Sequence, residues 1–174
     1  MSEFTGLKAL ALDVDGVLSD GRLYYGNQGE ELKSFSIRDG LGIKLLQSTG
    51  IVVGIITGRR SEIVARRAKE LGIQHVIQGR EDKLIALREF CSKLDIALGE
   101  VAYMGDDLPD RKAIMAAGLG ATVGNGAADV VAAAGCRTAH RGGCGQGDRH
   151  PRAPGADGVR HRAVHPPGQQ AKGA

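Results

Sequence analysis

Six consecutive apolar residues, Ile51 to Ile56, stand between a glycine and a threonine. Such a run is too short for a buried helix and too uniformly apolar for a strand with one wet face. It reads as a strand covered on both sides. Further strand-length segments lie at Lys8 to Asp13, Val101 to Met104 and Gly118 to Val123, and Gln74 to Gln78 reads as a short strand. Stretches of helical period separate them. Asp39 is expected to cap a helix to about Thr49, closed by Gly50; Ser61 and Glu62 open a second that Gly72 closes. Glu81 to Leu94 sets Leu84, Leu87, Cys91 and Leu94 on one face, and Pro109 to about Ala117 and Ala127 to Ala134 follow. The alternation predicts an α/β fold, a Rossmann-like parallel sheet with helices on both faces. One insertion breaks it: Arg22 to Gly26 and Glu30 to Ser36 flank Asn27-Gln28-Gly29, a β-hairpin flap after the first strand.

Up to about residue 139 this pattern makes one domain, able to bury roughly two-thirds of its unfolded surface. From His140 onward it stops. Residues 140–174 hold four of the five His and four of the five Pro, with Val159 and Val164 as the large apolar residues, and are expected to form no packed core. They also carry six of the 23 basic residues but two of the 20 acids, so residues 1–139 balance 17 basic against 18 acidic. That body is near-neutral, and a chain with 3% aromatic residues and no Trp offers little stacking platform for nucleic acid. Lys8 and Asp13 interrupt the first apolar run, so no leader or membrane span is expected, and the protein is expected to be cytoplasmic. Cys91, Cys136 and Cys144 show no C-x-x-C spacing, which speaks against a disulfide framework or a thiolate zinc site.

Polar clusters fall at the carboxyl ends of the predicted strands, where open α/β sheets bind their ligands. They are Asp13 with Asp15, then Thr57-Gly58, then Lys83 by way of a short loop, then Asp106 with Asp107 and Asp110. Each alone has an ordinary reading: D-x-D-G as a turn, Thr-Gly as a helix start, Lys83 as a solvated lysine, Asp106-Asp107 as a solvated loop. Together they make a phosphate-plus-metal site. Phosphate monoesters need accelerations of up to about 10²¹-fold, so charge neutralisation must be extensive. Two carboxylates two residues apart can face phosphorus and the leaving oxygen, and Gly16 lets the backbone turn behind them. Asp13, the Asp15 carbonyl and Asp106 would give magnesium hard oxygen ligands with room for phosphate and water. Arg59, next to Thr57-Gly58, is placed to grip a carboxylate in two places.

D-x-D-G, Thr-Gly after an apolar strand, a lone Lys and G-D-D-x-x-D, in that order over residues 7–125, resemble the haloacid dehalogenase phosphatases. F-S-I-R-D-G-L-G-I-K at Phe35 to Lys44, T-G-R-R-S at Thr57 to Ser61 and Y-M-G-D-D-L-P-D at Tyr103 to Asp110 are similar to its capless branch acting on 3-deoxy-D-manno-octulosonate 8-phosphate, in lipopolysaccharide sugar synthesis. The resemblance implies that Asp13 attacks phosphorus, that Asp15 protonates the departing sugar oxygen and then deprotonates water, and that Thr57 and Lys83 hold phosphate. It further implies Mg²⁺ as cofactor, with Asp110 or Asp107 orienting Lys83 or a water on the metal, and a homotetramer in which the hairpin packs on neighbours. The short spacings leave no room for a cap domain. A nine-carbon sugar-acid phosphate would use the same residues; a noncatalytic assembly module and a signalling receiver are the other readings. The family's Gly-Gly-x-Gly segment, here Gly142 to Gly145, leads elsewhere into an apolar helix. Here Gln146 to Ala174 has instead the Gly, Pro, Arg, His and Ala bias of a G/C-rich gene read in a shifted frame.

Overall fold

The computed structural model describes residues 6–28 and 31–138. The expectations for residues 140–174 lie outside them, as does the turn glycine Gly29. Strands β1 (Ala9–Leu12), β4 (Val52–Thr57), β5 (His75–Gln78), β6 (Val101–Met104), β7 (Leu119–Thr122) and β8 (Cys136–Arg137) form one parallel sheet in the order β5-β4-β1-β6-β7-β8. The hairpin is the separate antiparallel pair β2 (Tyr24–Tyr25) and β3 (Glu31–Leu32). Helices α1 (Ile37–Ser48), α2 (Glu62–Glu70), α3 (Lys83–Leu94), α4 (Arg111–Ala116) and α5 (Ala128–Ala133) supply the crossovers.

Side-chain alternation along β1 explains why both faces must be covered. Leu12 packs with Val53, Ile55, Ile43 of α1 and Val64 and Ala68 of α2, whereas Ala9 and Ala11 join Leu87 and Phe90 of α3, Ile114 of α4 and Val130 of α5. Two apolar layers therefore sandwich the sheet, as the alternation required. Truncating Phe90 to Ala, from a ring that is fully buried, would cost about 3–5 kcal/mol.

Local chemistry moved several boundaries. Ser36, not Asp39, caps α1: its hydroxyl accepts the Asp39 amide at 3.3 Å, and Asp39 sits in the first turn. Likewise Asp82 caps α3 by accepting from the Ile85 amide, so the helix starts at Lys83 rather than Glu81. Its buried face is Lys83, Ala86, Leu87, Phe90 and Cys91, with Leu84 and Leu94 only partly covered. The expected helix from Pro109 is a 3-10 turn, Leu108–Asp110, running into α4. β8 was not expected at all; two exposed residues carry no hydrophobic pattern, and it exists because β7 leaves an open edge for Cys136 and Arg137 to pair with.

The strand order reverses at β1, which lies between β4 and β6. Leu12 is level with both Ile55 and Met104, so the residues that follow these strands leave the sheet side by side. This is the switch point at which such sheets open a crevice.

Candidate active site

Asp13 is the first residue past β1. Its amide donates to the Met104 carbonyl at 2.9 Å, which fixes the backbone, and its side chain is almost wholly buried at 6% exposure. Lys83, at the first turn of α3, points into the same crevice with 3% exposure. Its ammonium donates to Asp13 Oδ1 at 2.6 Å and to the Ile56 carbonyl at 3.1 Å, and lies 3.3 Å from Asp110 Oδ1. A lysine at a helix start opposes the macrodipole, and here two carboxylates offset that cost.

Asp110 is the hub of the cluster. It accepts the Tyr103 hydroxyl at 2.6 Å on Oδ1 and the amides of Asp106 and Asp107 at 3.2 Å on Oδ2. Of the two acids expected to orient Lys83, the structure brings Asp110 to it. Asp107 instead faces solvent and accepts from the Leu108 amide, capping the 3-10 turn.

Carboxylate oxygens of Asp13, Asp106 and Asp110 lie within 4.8 Å of one another. Burial pushes the Asp13 carboxyl up from 3.8 to about 6, reinforced by the charge of Asp110 and opposed by Lys83. Burial likewise raises Asp106 to about 7, with Asp13, Asp110 and Asp107 adding to it. For Lys83, burial acts against the charged form, and Asp13 and Asp110 more than compensate, so its pKa is raised. One ammonium does not balance three acids in a space of this kind. Asp106 Oδ1 is buried and has no hydrogen-bond partner, a position that a bound cation would satisfy. Gly16 is required beside it: at φ 95° a Cβ would fall 1.9 Å from Asp106 Oδ2.

Asp13, Asp15, Thr57, Gly58, Arg59, Lys83, Asp106, Asp107 and Asp110 all line one open cavity of about 330 Å³. Every expected site residue is therefore brought together. Thr57 is buried at the end of β4 and Arg59 is exposed. Rather than extending freely, the Arg59 guanidinium donates to the Tyr25 hydroxyl of the hairpin at 2.9 Å and stands 4.0 Å from Asp15 Oδ2. Asp15 is also met by the Ser19 hydroxyl at 3.5 Å and by the ammonium of Lys33, just past β3.

Tyr103, Lys33, Tyr25 and Glu81 are members of this neighbourhood that sequence reasoning passed over. Tyr103 had a signal: a phenol in a wholly apolar strand needs a buried partner for its hydroxyl. Lys33 had none, since a lysine in a hairpin reads as solvated.

A parallel sheet with paired carboxylates, a threonine, a lysine and an acidic loop at its switch point is the arrangement of a phosphoryl-handling protein. The model of the haloacid dehalogenase-like hydrolases matches residues 75–142. The 3-deoxy-D-manno-octulosonate 8-phosphate phosphatase of Escherichia coli is 49% identical over 123 residues, covering 71% of this chain and 65% of that protein. The Yersinia pestis enzyme of the same name is 50% identical over 117 residues, covering 67% and 63%. The chain thus spans just under two-thirds of the curated relatives it matches. Among solved structures, the Moraxella catarrhalis phosphatase in complex with magnesium, phosphate and KDO superposes with a TM-score of 0.79 at 50% identity, covering 81% of each chain. The cobalt-bound Haemophilus influenzae phosphatase gives 0.78 at 37% identity, covering 82% of this chain and 83% of that one. The chain belongs to the haloacid dehalogenase-like hydrolases, in the branch of the 3-deoxy-D-manno-octulosonate 8-phosphate phosphatases.

Proposed function

We propose that the protein is a magnesium-dependent phosphatase that hydrolyses 3-deoxy-D-manno-octulosonate 8-phosphate to the free sugar acid and inorganic phosphate, a step toward lipopolysaccharide. The observation that carries this reading is the buried Asp13–Lys83–Asp110 cluster facing Asp106 at the switch point of the sheet. The relatives named above favour the eight-carbon acid over a nine-carbon one.

In the first step an oxygen of Asp13 forms a bond to phosphorus while the bond from phosphorus to the sugar oxygen breaks, and Asp15 gives that oxygen its proton. In the second, Asp15 takes a proton from water as the water oxygen attacks the aspartyl phosphate, which releases phosphate and restores Asp13. Lys83, 2.6 Å from Asp13, neutralises charge on the phosphoryl group, with Thr57 and the Gly58 backbone binding its oxygens. Asp13, the Asp15 carbonyl and Asp106 would hold Mg²⁺; the partnerless Asp106 oxygen and the crowded carboxylates fit a divalent ion. Magnesium supplies Lewis-acid neutralisation of the phosphoryl oxygens. Arg59 serves the sugar-acid carboxylate by exchanging its Tyr25 contact for the substrate.

Assembly is part of the same reading. Ile37, Leu41 and Leu45 form an exposed apolar stripe along α1, with Ile37 at 87% exposure, and Tyr25 and Leu32 expose the hairpin nearby in sequence. These surfaces support a homotetramer. No helix among the described residues is long and apolar enough to cross a membrane, and a cytoplasmic location accords with the substrate.

The test is phosphate release from the octulosonate 8-phosphate with magnesium, set against other sugar phosphates and against Asp13→Asn. Selective release that Asp13→Asn lowers by about 10⁴-fold or more is expected. Equal release by the folded variant would sink the nucleophile assignment.

A further inference from the structure

We propose that Lys33 is a positioning residue for the reaction: by ion-pairing with Asp15 it holds the proton-transferring carboxylate in its working orientation. This rests on the phosphatase reading above and adds a residue to it. Asp15 lies in the turn beyond β1, where no strand ladder fixes it, and its side chain is 25% exposed. A carboxylate so placed has rotamer freedom, whereas proton transfer needs it within hydrogen-bond reach of one oxygen. The Lys33 ammonium contacts Asp15 Oδ1, and its own side chain is wholly buried, at 0% exposure.

Both flanks of Lys33 are anchored. Leu32 pairs with Tyr24 in the hairpin ladder, and Phe35 forms an antiparallel bridge with Ser19, four residues beyond Asp15. Ser19 in turn offers its hydroxyl to the same Oδ1. The hairpin is thereby clamped to the turn that carries Asp15, and the lysine is delivered at a fixed distance. With Oδ1 engaged by Lys33 and Ser19, Oδ2, on the Arg59 side, is left to give the proton to the sugar oxygen and to take one from water.

An activated ester separates this role from a structural one. An alkoxide leaving group needs a proton; p-nitrophenolate does not. Full-length protein and Lys33→Met are compared with magnesium on the sugar-acid phosphate and on p-nitrophenyl phosphate. For the sugar-acid ester kcat should fall about 10²-fold with KM within about twofold, as for a misplaced acid. First-turnover release of p-nitrophenolate should stay within about threefold, and a burst of one per site should appear, because water attack on the aspartyl phosphate still needs Asp15. Lys33→Arg should recover at least tenfold, and in an Asp15→Asn background Lys33→Met should change nothing further. Equal first-turnover losses on both esters, a KM rise with kcat kept, or full additivity with Asp15→Asn would each overturn the proposal. Near-ultraviolet circular dichroism checks folding independently of the burst, and Lys33→Gln repeats the comparison if the methionine variant precipitates. No turnover of either ester by the unmodified protein would refute the phosphatase reading, and this proposal with it.

Discussion

Two lysine–aspartate pairs serve neighbouring carboxylates, and the protein holds them in opposite ways. Lys83 reaches Asp13 across 70 residues of sequence, yet both sit on elements locked into a two-sided core: the end of β1 and the start of α3. Lys33 reaches Asp15 across 18 residues, from a hairpin whose ladder is two residues long on each strand. Sheet topology makes the first pair rigid and inseparable from folding. The second depends on a small surface element, so it can change without unfolding the domain. The two carboxylates of D-x-D-G, two residues apart, thus belong to different mechanical parts of the molecule.

The largest contrast should come from removing the sheet-edge lysine. Lys83→Met leaves Asp13 and Asp110 buried without their shared cation, so stability should fall by about 3–5 kcal/mol in urea unfolding, together with loss of turnover. A loss of activity with unchanged stability would mean that the sheet edge is no more rigid than the hairpin. Next is Tyr103→Phe, which deletes a buried hydrogen bond to a charged acceptor and should cost about 1.5–3 kcal/mol.

Acid–base linkage sharpens the same comparison. Asp13 and Asp106 have folded-state values raised to about 6 and about 7, so between about pH 4 and pH 7 the folded protein binds more protons than the unfolded chain. The stability they contribute is full below pH 4 and is lost as pH rises through 6 to 7. Metal-free protein should therefore show a Tm component that declines from pH 5 to pH 8, and magnesium should raise Tm more at pH 8 than at pH 5. A magnesium shift independent of pH would argue against these carboxylates as its site. At the small end, Tyr25→Phe on the hairpin removes an exposed hydrogen bond to Arg59 and should alter stability by less than about 0.5 kcal/mol. Any effect should appear in KM for the sugar-acid phosphate, read from steady-state kinetics.

Legibility followed the same division. Strands β1, β4 and β6 were readable because burial on two faces demands apolar runs, and Asp13, Thr57 and Asp106 were readable because they end or closely follow those runs. β8 was not, since its two exposed residues carry no pattern. Ser36 and Asp39 are both good capping residues three apart, and periodicity could not choose between them; the Ser36 hydroxyl to Asp39 amide bond did.

The amino-acid sequence by itself determined the α/β architecture, the absence of a cap between the motifs and the identity of the acids, threonine and lysine at the strand ends. These follow from side-chain periodicity and residue chemistry, which are local. What only the tertiary structure decided was partnership: that Asp110 and not Asp107 meets Lys83, that Tyr103 completes that cluster, and that Lys33 is buried against Asp15. Which charge meets which depends on register between strands and on the path of a hairpin, and those are settled by packing across the whole domain.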